Sequence, residues 1–303
     1  MSKLLTKAAF VTVVGRPSAG KSTLVNAFCG QKVAIVSAVP QTTRNAIRGI
    51  VNDERGQLVF IDTPGRHTSE KKFNKKLLEV SDRSLRDADL ALYVLDVSRA
   101  PGGEEAAIAA ALAPRAETLV AALNKIDDRR ADSACAAAFL REKIPLPPER
   151  IFSVSALKGE GLQPLLAALY AMAPAGEPLY PAEYYTDQEL DFRAAEIIRG
   201  EAIKRLRQEL PHAIYVEVAD REFRAVKGSD RQRLWIRAFI VCERESQKGM
   251  IVGKGGEVIR AIGEASRKIL NSILNWRVEL DLRVKTGKDW RHNEAVLKKL
   301  LDR

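Results

Sequence analysis

A short segment of the chain joins two glycines to a lysine and a hydroxyl side chain at a fixed spacing. It fits the pattern GxxxxGK[ST] and consists of Gly15, Arg16, Pro17, Ser18, Ala19, Gly20, Lys21 and Ser22, followed by Thr23. An apolar run precedes the segment and a helix-like stretch follows it, which is the context of a phosphate-binding loop. The N–H groups of such a loop and the positive end of the helix converge on a polyanion. We expect Lys21 to reach the β and γ phosphates of a nucleoside triphosphate and Ser22 to bind Mg²⁺.

A second segment could act on the terminal phosphate. Asp62, Thr63, Pro64 and Gly65 follow another apolar run. At the end of a strand, the Asp62 carboxylate can hold Mg²⁺ through water, and the Gly65 amide can meet the γ phosphate. The same four residues also make a good turn sequence, so this segment alone does not decide the function.

Two threonines, Thr42 and Thr43, lie between these segments in a loop led by Pro40. A threonine here can close over Mg²⁺ when the γ phosphate is present and let go after hydrolysis. The alternative is a polar loop with β-branched residues, whose order would not depend on the nucleotide. The residues themselves leave both possibilities open.

Polar segments at the ends of two later apolar runs indicate which base is bound. Asp127 can accept from both the ring N–H and the exocyclic amine of guanine, whereas adenine would leave the carboxylate unpaired, a rejection that can reach about 10⁴-fold. Lys125 is expected along the base plane, and Asn124 is expected to tie this loop to the phosphate-binding loop. A backbone N–H for the guanine carbonyl is expected from the segment Ser155, Ala156 and Leu157. The predicted ligands are therefore GTP and GDP.

A glycine-rich loop lies in the second half of the chain, between two helix-like segments. It consists of Gly253, Lys254, Gly255 and Gly256. A GxxG loop lets a nucleic-acid backbone approach closely, while Lys254 offsets phosphate charge. About four nucleotides can lie along such a loop against an apolar groove, here Ile251, Ile259 and Ile262. Within the element order α-β-β-α-α-β on a basic chain, the loop predicts a KH domain.

The basic tail could extend this RNA surface. It contributes Arg283, Lys285, Lys288 and Arg291, with Trp290 as an aromatic side chain on which a base could stack. The alternative is a solvated tail whose tryptophan belongs to the core.

The order of apolar runs predicts the elements that position these residues. Short apolar runs alternate with helix-like segments up to about residue 172, which predicts an α/β domain with a mainly parallel sheet. Ligands of such sheets bind at the carboxyl ends of the strands. A Pro- and Gly-containing stretch then reads as a linker. The predicted domains are a GTPase domain over 1–173, a linker over 174–189 and an α+β type II KH domain with its tail over 190–303.

Composition limits the alternatives. The 303 residues suffice for two domains, and 49 basic against 39 acidic residues give a net charge of +10, which suggests an anionic partner larger than a nucleotide. Three cysteines lie far apart without CxxC spacing, so neither a zinc site nor a disulfide framework is indicated. No apolar run approaches the roughly 20 residues that span a bilayer. We expect a soluble, intracellular protein that acts as a monomer.

These motifs together resemble one family, the Era-type GTPases, over nearly the whole chain. The resemblance rests on Gly15–Ser22, Gln41–Arg44, Asp62–Gly65, Asn124–Asp127, Ser155–Leu157, Gly253–Gly256, Pro178–Pro181 and Asp289–Arg291. It implies a bacterial factor that binds the 3′ end of small-subunit ribosomal RNA in the assembling small subunit and couples this to GTP hydrolysis. It also implies a cytoplasmic protein with some contact with the inner membrane surface, and it favours Thr43 over Thr42 at Mg²⁺.

Two positions depart from the family pattern. Ser18 stands where the family usually has asparagine, and Arg66 stands where a hydrophobic residue is usual. In related GTPases that use a potassium ion, the asparagine helps to hold it, and the shorter serine reaches less far. Arg66 could act as a cationic finger, but we expect it to point to solvent or RNA. Slow intrinsic hydrolysis with a weak preference for K⁺ is therefore predicted.

Two other functions compete with an RNA-binding GTPase. One is an RNA-binding module whose nucleotide domain is catalytically inactive, and intact Lys21, Ser22, Asp62 and Asp127 argue against it. The other is a small-molecule kinase with a phosphate-binding loop. It is disfavoured because guanine recognition is present and no basic lid is evident.

Overall fold

The computed structural model describes residues 6–37, 39, 42–65, 72–225 and 232–301, without the side chains of 72–75. The chain divides into two compact units, residues 1–187 with 298–303 and residues 188–297. The division falls near the end of the segment over which the sequence predicts a linker.

Within the described residues of the first unit, six strands form one sheet in the order β2-β3-β1-β4-β5-β6. The pairing is parallel except between β2 and β3, which run antiparallel. The predicted mainly parallel sheet is confirmed. The strands are β1 Lys7–Val14, β2 Ile47–Asp53, β3 Gly56–Asp62, β4 Leu90–Asp96, β5 Leu119–Asn124 and β6 Ile151–Val154.

Helices cover both faces of this sheet, which is why its central strands are apolar throughout. Every residue of β4 and β5 is buried, as expected for strands covered on both faces. One core cluster includes side chains of α1 and α5, and another includes side chains of α3 and α4. The helices are α1 Lys21–Cys29, α2 Lys72–Asp87, α3 Gly103–Leu112, α4 Ser133–Lys143 and α5 Leu162–Met172, with 3₁₀ turns at Ala113–Thr118 and Pro148–Arg150.

The segment predicted as a linker is hydrogen-bonded to the first unit over much of its length. Gln57 of β3 is fully buried; its Oε1 accepts from the amides of Leu179 (2.7 Å) and Tyr180 (2.9 Å), and its Nε2 donates to the Tyr180 carbonyl (2.8 Å). Further along, the Ile50 amide donates to the Tyr185 carbonyl at 3.0 Å. These residues are therefore a strap across β2 and β3, not a free spacer.

The second unit follows the predicted order α-β-β-α-α-β. Among its described residues three strands form a sheet in the order β7-β8-β9, antiparallel between β7 and β8 and parallel between β8 and β9. Its elements are α6 Leu190–Arg205, α7 Leu210–Ala213, β7 Ile214–Ala225, β8 Gln232–Cys242, α8 Glu245–Val252, a 3₁₀ turn Lys254–Gly256, α9 Glu257–Ile273, β9 Arg277–Thr286 and a 3₁₀ turn Trp290–His292. The tail continues into α10 Glu294–Leu301.

Some boundaries differ from the predicted ones. The first helix of this unit, which the sequence predicts over Leu190–Glu209, ends at Arg205. There the backbone of Leu206 becomes extended and Gln208 adopts a left-handed conformation. The strand that the sequence predicts over Ile214–Ala219, β7, extends to Ala225. In the described part of the chain, no helix combines the length and apolarity needed to cross a membrane.

The strap can be tested at Gln57. Replacing it in Gln57→Leu removes the acceptor of two amides, so hydrogen exchange at Leu179 and Tyr180 should accelerate about 10-fold, the equivalent of one hydrogen bond. Exchange at the β5 amides, which bond within the sheet, serves as the internal control. Unchanged protection at Leu179 and Tyr180 would show that this segment is held by other contacts.

Candidate nucleotide site and GxxG loop

The phosphate-binding loop lies between the end of β1 and the start of α1. Gly20 precedes the helix with φ of 98°, and a Cβ placed there would lie 2.2 Å from Asn124 Nδ2. Only glycine fits this position, because both the backbone conformation and the neighbouring side chain exclude a Cβ. Ser18 also has a positive φ, 62°. The loop thus curves so that the α1 N-terminus faces its interior, as the sequence predicts.

Lys21 is buried inside this loop. Its Nζ donates to the carbonyl oxygens of Gly15 (3.0 Å) and Arg16 (2.9 Å). Burial lowers the pKa of Lys21 to about 8, against the opposing effect of the negative charge of Asp62. Above a pH of about 8, the lysine predicted to meet the phosphates would therefore lose its proton unless a bound anion stabilises the ammonium form.

Ser22, Thr43 and Asp62 converge as the sequence predicts for a Mg²⁺ site. Ser22 Oγ donates to Asp62 Oδ2 at 2.6 Å and lies 3.0 Å from Thr43 Oγ1, which itself donates to the same carboxylate oxygen at 3.3 Å. Thr42 instead donates to the Val39 carbonyl at 2.6 Å. The structure thus places Thr43, and not Thr42, beside the predicted metal ligands.

The chemistry of this cluster fits Mg²⁺. It offers two hydroxyl oxygens and one carboxylate, the hard ligands this ion prefers. Asp62 Oδ1 is buried and has no hydrogen-bond partner among the described residues. Burial raises the pKa of Asp62, while Lys21 and the hydroxyls of Ser22 and Thr43 oppose the rise. A divalent cation or its bound water would satisfy the unpaired oxygen and offset the buried charge.

The residues after Asp62 lie against the phosphate-binding loop. Thr63 is buried and its Oγ1 donates to the Val13 carbonyl at 2.7 Å. After Pro64, the backbone of Gly65 comes so near that a Cβ there would lie 2.6 Å from the Pro17 nitrogen. Gly65 therefore reaches the side of the loop where a terminal phosphate is expected. Arg66 and Gln41 lie outside the described residues.

The predicted base loops are joined to the phosphate-binding loop through Asn124. Its Nδ2 donates to the Ala19 carbonyl at 2.9 Å, and its Oδ1 accepts from the Ala156 amide at 3.0 Å. Asp127 Oδ1 accepts from Ser155 Oγ at 2.6 Å. The predicted tie between the loops is therefore present, while the Ala156 amide, a candidate donor to the guanine carbonyl, is directed to Asn124.

A cavity next to these loops brings together the side chains predicted to bind guanine. Lys125, Asp127 and Leu157 line it together with Gly20 and Thr23 of the phosphate-binding segment. A neighbouring cavity is lined by further residues of that segment, among them Lys21 and Ser22, and by Thr43 and Gly65. The two cavities together have room for a base and its phosphates at the carboxyl edge of the sheet.

Sequence reasoning missed two buried carboxylates and an exposed valine at this site. Asp96 lies at the end of β4 and contacts both Arg16 and Lys125, and Glu105 of α3 contacts Arg16. Val36 lines both cavities. The signal for Asp96 was its position directly after an apolar run, the same position that marked Asp62.

The GxxG loop is exposed between α8 and α9. Gly253, Gly255 and Gly256 all have positive φ, and Lys254 and Gly255 face solvent. Ile259 is half-buried and remains accessible beside the loop. The loop therefore presents backbone and one ammonium group to a partner.

The groove predicted beside this loop needs correction. Ile251 and Ile262 have no exposed surface, because both side chains pack into the core of the second unit. Ile251 is therefore not available as an RNA contact. The exposed apolar side chain is its neighbour Met250, 60% exposed, which the sequence analysis did not select.

The basic tail is only partly available. Lys288 is exposed, but the Lys285 ammonium pairs with Glu217 and lies 4.9 Å from the Phe239 ring centre. Trp290 is 1% exposed, and its Nε1 donates to the Ala213 carbonyl at 3.0 Å. The tryptophan thus belongs to the core, and the suggestion that it stacks on a base is wrong.

Comparisons with known proteins support both halves of this architecture. Residues 10–125 match the family described as 50S ribosome-binding GTPase. Residues 209–291 match the family described as KH domain. The first match falls within the unit that carries the phosphate-binding loop and the second within the unit that carries the GxxG loop.

Full-length relatives decide the family. GTPase Era of Treponema denticola is 48% identical over 291 residues, which cover 96% of this chain and 98% of that protein. The chain belongs to the Era family of GTPases. GTPase Era of Borrelia hermsii is 42% identical over 296 residues, covering 98% of this chain and all of that protein. The predicted GTPase joined to a KH domain is thereby confirmed.

Two solved Era structures share the whole fold. A variant of Aquifex aeolicus Era bound to GDP and AlF₄⁻ superposes with a TM-score of 0.89 at 31% identity, covering 98% of this chain and 99% of the other. Era in complex with MgGDPNP and nucleotides 1506–1542 of 16S ribosomal RNA gives a TM-score of 0.90 at 31% identity, with 98% of each chain covered.

The lowered pKa of Lys21 predicts proton uptake on nucleotide binding. At pH 9 the free lysine, with a pKa of about 8, is mostly neutral, and the phosphates of GDP raise its pKa because they favour the ammonium form. Calorimetric titration at pH 9 in two buffers of different ionisation enthalpy should show this uptake, and at pH 7 it should nearly vanish. A binding enthalpy independent of the buffer at pH 9 contradicts the assignment.

Proposed function

We propose that this chain binds the 3′ end of small-subunit ribosomal RNA through its KH unit and that GTP hydrolysis regulates its action on the assembling small subunit. The observation that supports this is the combination of the Ser22–Thr43–Asp62 cluster and an exposed GxxG loop in one chain. An Era protein with the same fold was solved with MgGDPNP and a 16S ribosomal RNA fragment.

The residues of the nucleotide site would divide the work of hydrolysis. Bound Mg²⁺ would supply positive charge against the phosphates, held by Ser22, Thr43 and, through water, Asp62. The Lys21 ammonium group would leave its carbonyl partners and neutralise charge on the β and γ phosphates. The Gly65 amide would donate to the γ phosphate. Positioning and charge stabilisation account for most of the catalysis in this class of reaction.

The switch would act through Thr43. Its hydroxyl is within hydrogen-bond distance of Ser22 and Asp62, so its position depends on what occupies the phosphate site. With the γ phosphate present, the threonine loop would be held closed, and after hydrolysis it would be released. The loop over Thr42 and Thr43 is the segment whose order we expect to differ between the GTP and GDP states.

RNA binding by the KH unit can be tested with matched charge changes. Lys254→Glu with Gly255→Asp places negative charge on the exposed GxxG loop, so affinity for a single-stranded RNA of the small-subunit 3′ end should fall about 10-fold or more. The control, Lys268→Glu with Ser272→Asp, makes the same net charge change at exposed positions of α9. Fluorescence anisotropy at a fixed salt concentration measures both, and GTP affinity should not change in either. Equal losses of RNA affinity in the two variants would show that the protein attracts RNA only through non-specific charge, and not through the GxxG loop.

Hydrolysis should depend little on the monovalent cation. Ser18 offers one hydroxyl on a short side chain, at the position where an asparagine helps to hold potassium in related GTPases that use this ion. We expect GTPase rates in K⁺ and in Na⁺ to agree within about 3-fold, less than 1 kcal/mol of transition-state stabilisation. Phosphate release measured in the two salts at equal ionic strength tests this, and Ser18→Asn should increase the preference for K⁺. Strong K⁺ activation of the wild type would show that Ser18 or the switch backbone holds the ion.

A further inference from the structure

A buried carboxylate joins the base loop to the phosphate-binding loop. Asp96 ends β4 with its side chain 1% exposed; its Oδ2 accepts from Lys125 Nζ at 2.7 Å and lies 3.2 Å from an Arg16 guanidinium nitrogen. Its Oδ1 accepts from the Ser98 amide at 3.0 Å. We propose that Asp96 is a positioning residue that holds Lys125 in place for the guanine base and couples it to Arg16. This inference rests on the proposed binding of guanine nucleotides at this site.

Lys125 needs an anchor for this role. A lysine ammonium is strongly hydrated and sits on a flexible four-carbon stem. The Lys125 side chain is about one-third exposed (32%), so the solvent competes for the ammonium. Its backbone adopts a left-handed conformation with a φ of 73°. Pairing with Asp96 fixes the stem beside the cavity before the base arrives. The nucleotide then binds without having to order this side chain.

The surroundings keep Asp96 charged and stationary. Burial alone would raise the pKa of Asp96, but hydrogen bonds from Lys125 and Ser98 outweigh it and hold the pKa below its ordinary value. Arg16 is itself 8% exposed and lies between two carboxylates, since its Nε is 2.9 Å from Glu105 Oε1. Asp96 is therefore the shared partner of one cation from each loop.

Glu105 provides a matched control. Both carboxylates are buried and both contact Arg16, but among the described side chains Glu105 pairs with Arg16 and not with Lys125. We expect Asp96→Asn to weaken GDP binding about 30-fold, as expected when one member of a buried charge pair is neutralised. Glu105→Gln should weaken it by no more than about 3-fold. An equal or larger loss in Glu105→Gln would overturn the inference, because the effect would then run through Arg16.

A double-mutant cycle separates positioning from general destabilisation. Lys125→Met keeps an unbranched side chain but removes the ammonium. If Asp96 acts through Lys125, adding Asp96→Asn to Lys125→Met should cost less than about 3-fold in GDP affinity, although it costs about 30-fold alone. A loss of the same size in both backgrounds would refute the coupling. If wild-type protein does not bind GDP at all, the proposed function fails, not the role of Asp96.

A measurement on the wild type covers the case in which Asp96→Asn does not fold. The ¹⁵N ammonium resonance of Lys125, assigned by its loss in Lys125→Arg, should show slow hydrogen exchange because the group is paired with a buried carboxylate. It should do so without nucleotide, since both members of the pair belong to the protein. Exchange as fast as that of solvent-exposed lysines would overturn the inference.

Discussion

The nucleotide site depends on the burial of charged groups at one edge of a parallel sheet. Asp62 ends β3, Asp96 ends β4 and Lys21 begins α1, all with almost no exposed surface. A buried charge is tolerated only when an opposite charge or hydrogen bonds lie against it. Each carboxylate has such partners, namely Ser22 and Lys21 for Asp62, and Lys125 and Arg16 for Asp96. The charges proposed to act in binding therefore also hold the site in shape.

The internal partners of these side chains affect the net free energy of nucleotide binding. In the structure, Lys21 donates to two carbonyl oxygens, and Ser22 and Thr43 hydrogen-bond with Asp62. On the proposed roles, binding would exchange these partners for phosphate oxygens and a metal ion, so the gain in free energy would be the difference between the two sets. The advantage of the internal partners is that the side chains are ordered beforehand, which lowers the entropic cost of binding. Lys21 adds a further effect: because its pKa is lowered, part of the free energy of nucleotide binding depends on pH.

The sequence predicted what is local in the chain and missed what depends on distant neighbours. The glycine and lysine spacing of the phosphate-binding loop and the polar residues after each strand required only strand–loop–helix order. Two contacts depend on which strands are adjacent: the pairing of Asp96 with Lys125 and the hydrogen bond from Leu179 to Gln57. No short sequence pattern encodes which strands are adjacent. Trp290 looked available among basic residues, yet it packs edge-to-face on Tyr215 with ring centres 5.1 Å apart. The prediction that Ile251 contacts RNA was wrong because the rotation of a short helix decides whether Ile251 or Met250 faces solvent.

The basic composition of the chain overstates the positive surface of the second unit. Several of its cations are already paired, as Arg233 is with Glu279, Arg237 with Asp281, and Lys285 with Glu217. By contrast, Lys254 has no ion pair among the described residues and stands exposed in the GxxG loop. Bulk charge alone gives salt-sensitive, non-specific attraction to nucleic acid. The geometry of the loop adds selectivity, because it favours an RNA strand whose backbone can come close to the protein backbone at the glycines. On this argument the KH unit would recognise RNA mainly where glycine lets the two backbones meet, and the paired cations on its sheet would contribute little.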